Sequence, residues 1–270
     1  MTRIRPSRGW RLINLRECLE YRDLFGFLIR RDITVHYKQT ILGYLWAIFN
    51  PLFSMLVFTV IFGIILKMPS DGVPYPVFSF AALLPWTYFS QSLSASTSSL
   101  IAGSNLFTKV YFPRIFIPLV PVVSKLMNFA IGFAFLLLLL LWYRITPSPQ
   151  ILFLPLLVLL MVLTSAGLGL LLSALAIQYR DVQHGMQFAI QILMYAAPIV
   201  WPVSKLPDSV RLWYGLYPMA GVIEGFRSAL LGTRPMPWDL IAMGSITAVA
   251  CFVIGAMYFR RSEQRFADVA

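Results

Sequence analysis

The residues whose types and spacing suit chemistry begin with Arg31, Asp32, Tyr37 and Lys38, two cations, a carboxylate and a phenol in the ordered run R-D-x-x-x-x-Y-K-Q-T. Anchoring a chain at the headgroup level needs only cations that snorkel. A fixed order of unlike groups asks for a defined contact as well. Arg180 and Asp181 form a second charged pair in a short connection. It reads either as a solvated turn or as a docking point, since so short a loop transmits motion directly to both flanking helices. Lys125 lies inside an apolar run. An ammonium in hydrocarbon costs about 2.5–3.5 kcal/mol on insertion scales, so it must snorkel, find a partner or face water, and snorkelling and channel lining stand level. Glu224 and Arg227, at i, i+3, read as a pair that lowers the cost of two charges at low dielectric. Trp86, Tyr88, Phe89, Trp201, Trp213, Tyr214 and Tyr217 offer aromatic faces on which the C–H faces of sugar rings pack. For each residue taken singly an interfacial aromatic belt is the stronger reading.

The groups that catalysis would require are missing from the sequence. It has no G-x-x-x-x-G-K-[ST] loop for nucleotide phosphates, no His and Cys spacing suited to zinc, and no carboxylate pair placed for acid–base work. His36 and His184 are isolated and read as surface residues. Cys18 and Cys251 are too few and too differently placed for a disulfide framework. No catalytic residue and no metal site is expected on this chain. No removable signal peptide is evident at its start.

The elements that must position these residues are membrane helices. The chain is 59% hydrophobic and 12% charged, with a mean hydropathy of +0.75, whereas a soluble domain carries about 25% charge. The excess of 22 Lys and Arg over 11 Asp and Glu would suit nucleic acid, but nine of the cations precede Ile41 and the first long apolar run. That distribution fits membrane topology, so no nucleic-acid partner is expected. A span needs about 20 largely apolar residues. Runs of that kind lie near 42–66, 75–95, 115–142, 151–177, 183–200 and 240–259. The fifth carries a polar stripe, Gln183, Gln187 and Gln191, which must face protein or water.

The fold class expected is all-α integral membrane, with six transmembrane helices. The short connections place 15 cations on the side of the termini and 6 on the other, which puts both termini in the cytoplasm. Two regions are neither loops nor spans. Tyr21, Leu24, Phe25, Leu28 and Ile29 share one helical face, with Asp23, Gly26 and Arg30 opposite, as in an amphipathic helix lying along a membrane interface. Residues of about 202–231 are apolar but broken by Pro and Gly, and read as a re-entrant pair of short helices between spans five and six. The organisation is a cytoplasmic N-terminal segment with the interface helix over 1–41, a transmembrane domain over 42–260 and a cytoplasmic tail over 261–270.

The run from Arg31 to Trp46, continued by Asn50-Pro51, closely resembles the permeases of the ABC-2 polysaccharide exporters. The run Tyr217-Pro218-Met219-Ala220-Gly221-Val222-Ile223-Glu224-Gly225-Phe226-Arg227 resembles the periplasmic hairpin of the same family. The similarity extends over nearly the whole chain. It is sharpest to O-antigen exporters of Gram-negative bacteria, with teichoic-acid and capsule exporters as relatives. The family often has Arg where this chain has His36, and Asn where it has Tyr217.

The resemblance implies a subunit of the bacterial inner membrane that pairs with a second copy of itself and with two copies of an ABC ATPase. ATP and Mg would sit on that partner, with no cofactor on this chain. The cargo implied is a lipid-linked polysaccharide, carried through a channel at the dimer interface. Under this reading Arg31, Asp32, Tyr37 and Lys38, with Arg180 and Asp181, couple to the ATPase or grip a lipid pyrophosphate. The aromatic residues and Lys125 would contact the sugar or line the channel. The competing readings are an ABC-2 exporter of another cargo, such as a drug, a haem-related molecule or a glycolipid, and an ATP-independent flippase or polytopic glycosyltransferase. A transferase would need an acidic cluster at a membrane face, which is not evident.

Overall fold

In the computed structural model the described residues are 15–38, 43–103 and 112–263, and they hold helices, turns and loops with no strand among them. The residues before Leu15, the loop cation Lys109 and the tail with Arg265 lie outside the described residues. Helices α1 (Leu15–Glu20) and α2 (Arg22–Tyr37) come first, and α2 stops where Lys38 turns extended at φ −66°, ψ 133°. Their apolar face is covered by protein. Cys18, Tyr21, Leu24, Phe25 and Leu28 pack on Phe112, Phe116, Ile117 and Phe259, and the Phe25 and Phe116 rings lie 4.8 Å apart.

The remaining helices are α3 (Trp46–Phe58, continued by a π-helical stretch Thr59–Ile65), α4 (Tyr75–Ala102), α5 (Phe116–Ser124), α6 (Leu126–Trp142), α7 (Leu154–Gln178), α8 (Asp181–Ala196), α9 (Asp208–Gly215), α10 (Pro218–Leu231) and α11 (Trp238–Glu263). Four helical stretches among the described residues are long and apolar enough to cross a membrane: Trp46–Ile65, Phe116–Trp142, Pro149–Gln178 and Trp238–Glu263. The other two expected spans depart for different reasons. Helix α8 has 16 residues, short of the roughly 20 that hydrocarbon demands. Helix α4 is 28 residues long, but its second half is rich in Ser and Thr because it faces protein.

Helix α4 is the hub of the bundle, in contact with α3, α5, α6, α7, α8 and α10. Helices α7 and α11 meet closely. A Cβ built at Gly255 would stand 2.1 Å from the Gly167 carbonyl oxygen, and one at Gly167 would stand 2.5 Å from the Phe252 nitrogen. Small residues are what let two backbones approach so far where lipid supplies no hydrophobic drive. All 14 residues of α10 are buried, against α4, α7 and α11. Gly232 ends α10 in the left-handed region at φ 65°, where its N–H reaches the Ser228 carbonyl at 3.3 Å.

Candidate functional site

The ordered run at the end of α2 divides by helical geometry. Asp32 and Tyr37 turn towards the bundle, while Arg31 and Lys38 are exposed. Asp32 Oδ2 accepts the Ser124 hydroxyl at 2.5 Å, and the Tyr37 hydroxyl donates to Asn128 Oδ1. Both partners flank Lys125, the residue at which α5 gives way to α6, four positions after Pro121. Proline removes a helical donor and crowds the preceding turn, which weakens the helix near this point. Two side chains of α2 therefore hold both sides of an interruption in a membrane helix.

Above this junction a cavity of about 540 Å³ opens between α2, α3, α4, α6 and α8. Its wall is rich in hydroxyl and amide side chains for a scaffold that is mostly apolar. Helix α4 contributes Thr87, Tyr88, Ser90, Gln91 and Ser94, α3 contributes Trp46 and Asn50, and α8 contributes Gln187. Tyr37, Lys125 and Asn128 line the end nearest the α2 contacts. Gln187 Nε2 donates to Ser94 Oγ at 3.2 Å, so the central glutamine of the stripe on α8 faces α4 across the cavity. Lys125 is 7% exposed. Hydroxyls and amides can donate and accept in many orientations, so the wall can meet a polar ligand in more than one pose.

A second polar centre lies where the chain leaves α8. Arg227 of α10 meets Glu224 Oε1 at 2.9 Å, and its guanidinium also donates to the carbonyls of Pro198 (2.6 Å), Ile199 (2.7 Å), Trp201 (3.4 Å) and Phe78 (3.4 Å). The guanidinium lies 3.6 Å over the Phe78 ring. Glu224 Oε1 also accepts the Val203 N–H at 3.3 Å. The pair thus satisfies a stretch of backbone that ends α8 and has no helical partners of its own. Tyr214 and Tyr217 add hydroxyl bonds to the carbonyls of Ala196 (2.6 Å) and Leu193 (3.3 Å).

A family model for the ABC-2 type transporter matches residues 23–231, from the first turn of α2 to the last residue of α10. The chain belongs to the ABC-2 type transporter family. It is similar to an O-antigen export system permease protein of Myxococcus xanthus, 29% identical with 93% of this chain and 96% of that protein covered. An O-antigen export system permease of Klebsiella pneumoniae is 28% identical, covering 92% and 95%. A polysialic acid transport protein of Escherichia coli is 27% identical, covering 87% and 92%. This is a multi-pass membrane protein of the permease type.

Within this ABC-2 subunit the other expected site residues fall in different places. Trp86 and Phe89, 4% and 1% exposed, are packed in the core with their rings 5.6 Å apart. Tyr88 reaches the cavity, and its hydroxyl donates to the Val122 carbonyl at 2.8 Å. Trp201 stacks near Tyr214 at 5.8 Å, and Trp213 is exposed. Arg180 and Asp181 are exposed at the α7–α8 turn, away from the cavity lining. The α4 serines and threonines, Ser124 and Asn128 were not singled out in the sequence, and Asn50 only within the Asn50-Pro51 run. The signal that would have found the first group is the run from Ser90 to Ser99, where seven of ten residues carry a hydroxyl inside a membrane helix.

Proposed function

We propose that the chain is the membrane-spanning subunit of an ATP-driven exporter of lipid-linked polysaccharide, of the undecaprenyl-pyrophosphate-linked O-antigen kind. The observation that carries this reading is the acid-free cavity, rich in hydroxyls and amides, with Tyr37 and Lys125 at one end, set in a member of the ABC-2 family whose relatives are named for O-antigen and polysialic acid transport. In this reading α4 and α8 are spans two and five of six, both termini are cytoplasmic, and α9 and α10 form a re-entrant hairpin on the periplasmic side.

The subunit acts as a homodimer with two copies of an ABC ATPase, which carry ATP and Mg. Helices α3 and α8 show apolar side chains to the outside, including Phe53, Val57, Ile64, Phe188, Ile192 and Tyr195. A second copy covers part of that surface and closes the cavity into a channel. Closure of the ATPase pair moves α2 and the Arg180–Asp181 turn, and α2 passes the motion through Ser124 and Asn128 to the Lys125 junction at the wall of the path.

Purified alone, the chain should hydrolyse no ATP. Co-expressed with its ATPase it should co-purify as a four-subunit complex whose hydrolysis is stimulated by lipid-linked polysaccharide, and a strain lacking it should retain the polymer in the cytoplasm. ATP hydrolysis by the isolated chain, or unchanged surface polymer in the deletion strain, would overturn this reading.

A further inference from the structure

We propose that Lys125 is a receptor for a phosphate oxyanion, masked in this conformation by the Asp32 carboxylate, so that a phosphate arriving from the cavity displaces Asp32 and unlatches α2. The inference rests on the export function proposed above and adds the part of the cargo that is sensed.

The cavity wall holds one cation, Lys125, and no carboxylate among the described residues. Everything else polar on it is a neutral hydroxyl or amide, groups that donate readily to an anion. An ammonium only 7% exposed needs a counter-charge. The carboxylate that the fold sets at this junction is Asp32 on α2, outside the cavity wall and bonded one residue before Lys125, at Ser124. The ammonium thus lies between an internal anion on one side and an anion-accepting cavity on the other.

An anion in the cavity and Asp32 compete for the same cation, because two like charges drawn to one ammonium repel each other and share its three N–H donors. The competition is structural as well. Asp32–Ser124 ties the end of α2 to α5 and Tyr37–Asn128 ties it to α6, so loosening the first leaves one neutral hydrogen bond between that end and the junction. A charge-assisted bond is about twice as strong as a neutral one. Loss of the Asp32 contact therefore removes the stronger part of the latch, and ligand occupancy is reported at the helix that faces the ATPase. The phosphate can be the diphosphate of the lipid carrier or that of a membrane headgroup, since both present the same oxyanion.

The test uses the complex with its ATPase in phosphatidylcholine nanodiscs and measures the concentration of probe that half-maximally stimulates hydrolysis. The probes are an undecaprenyl-diphosphate-linked disaccharide, undecaprenyl monophosphate, added phosphatidylglycerol, and inorganic pyrophosphate. With the diphosphate-linked probe, Lys125→Met should raise the half-maximal concentration about tenfold or more, the loss of one hydrogen bond to a charged group. Lys125→Arg should keep it within a few-fold, which separates charge from packing. Asp32→Asn, which keeps an acceptor for Ser124 but removes the competing charge, should lower it several-fold. A Lys125-dependent response to phosphatidylglycerol alone would support the oxyanion site and assign the membrane headgroup as its source. Equal half-maximal concentrations for the parent complex and Lys125→Met, or a rise with Asp32→Asn, would overturn the inference while leaving export intact. A parent complex that no lipid-linked sugar stimulates would overturn the export reading, and this inference with it.

Discussion

The Arg227 guanidinium donates five hydrogen bonds, one to Glu224, one to the Phe78 carbonyl in the first turn of α4, and three to the carbonyls of Pro198, Ile199 and Trp201, which lie outside any helix. Arg227→Ala would leave those carbonyls and the Glu224 charge buried without a partner, a loss of about 3–5 kcal/mol. The melting midpoint of the purified complex should drop sharply or the chain should fail to accumulate. Arg227→Lys keeps the charge but cannot fork to several acceptors, so an intermediate drop is expected. Glu224→Gln should be the mildest, because an amide oxygen still accepts from Arg227 and Val203. An Arg227→Lys variant as stable as the parent would mean that charge alone matters here. The spacing of Glu224 and Arg227 made their pairing readable in the sequence. The carbonyls could not be read, because they depend on where α8 ends in space. Lys125 shows the same limit. Its cost in an apolar run was plain, but its neighbours Asp32 and Tyr37 come from about ninety residues away.

Helix α2 was legible from its apolar spacing alone, and its partner was not. Amphipathicity says that a face must be covered, and an interface of lipid and the flank of α5 cover it equally well. The structure gives the face to protein through Phe25 and Phe116, while Phe27 on the flank stays 63% exposed. Leu28→Glu would place an unpaired carboxylate against this packing, at a cost of several kcal/mol. Export should be lost while the membrane helices still insert, since their apolar lengths are unchanged. Asp23→Asn, on the exposed side, should be mild. Normal export by Leu28→Glu would reduce the helix to an anchor. The α7–α11 crossing makes a separate prediction. Gly167→Val would drive side-chain atoms into the α11 backbone and cost at least about 1–3 kcal/mol, read as a lower melting midpoint. Gly185→Ala, where nothing lies within 4 Å, should change little.

For the molecule as a whole, the cation distribution predicts an orientation that labelling in intact cells can check. Cysteines at Arg180 and Arg261 are exposed on the side expected to be cytoplasmic and should resist an impermeant thiol reagent. One at Pro69, exposed in the connection before α4, should react. Ser262 makes a poor reporter, because at 5% exposure it would resist reagent whichever side it faced. Most of the architecture was readable because lipid demands long apolar helices. The two expected spans that the structure does not give as long apolar helices are α4, whose hydroxyls face protein and cavity, and α8, which ends at Ala196, two residues before Pro198.

The complete burial of α10 also constrains biogenesis. At 14 residues it is too short to insert as an independent span, and it carries the Glu224–Arg227 pair. It can settle only into a slot already built by α4 and α7, both synthesised earlier, and it stays open on one side until α11 is made and closes over it. A ribosome that stalls after Leu231 therefore leaves a chain whose charged centre has a floor but no lid. Truncation at that point should yield a product that membrane quality-control proteases clear quickly, even though almost every span is already in place.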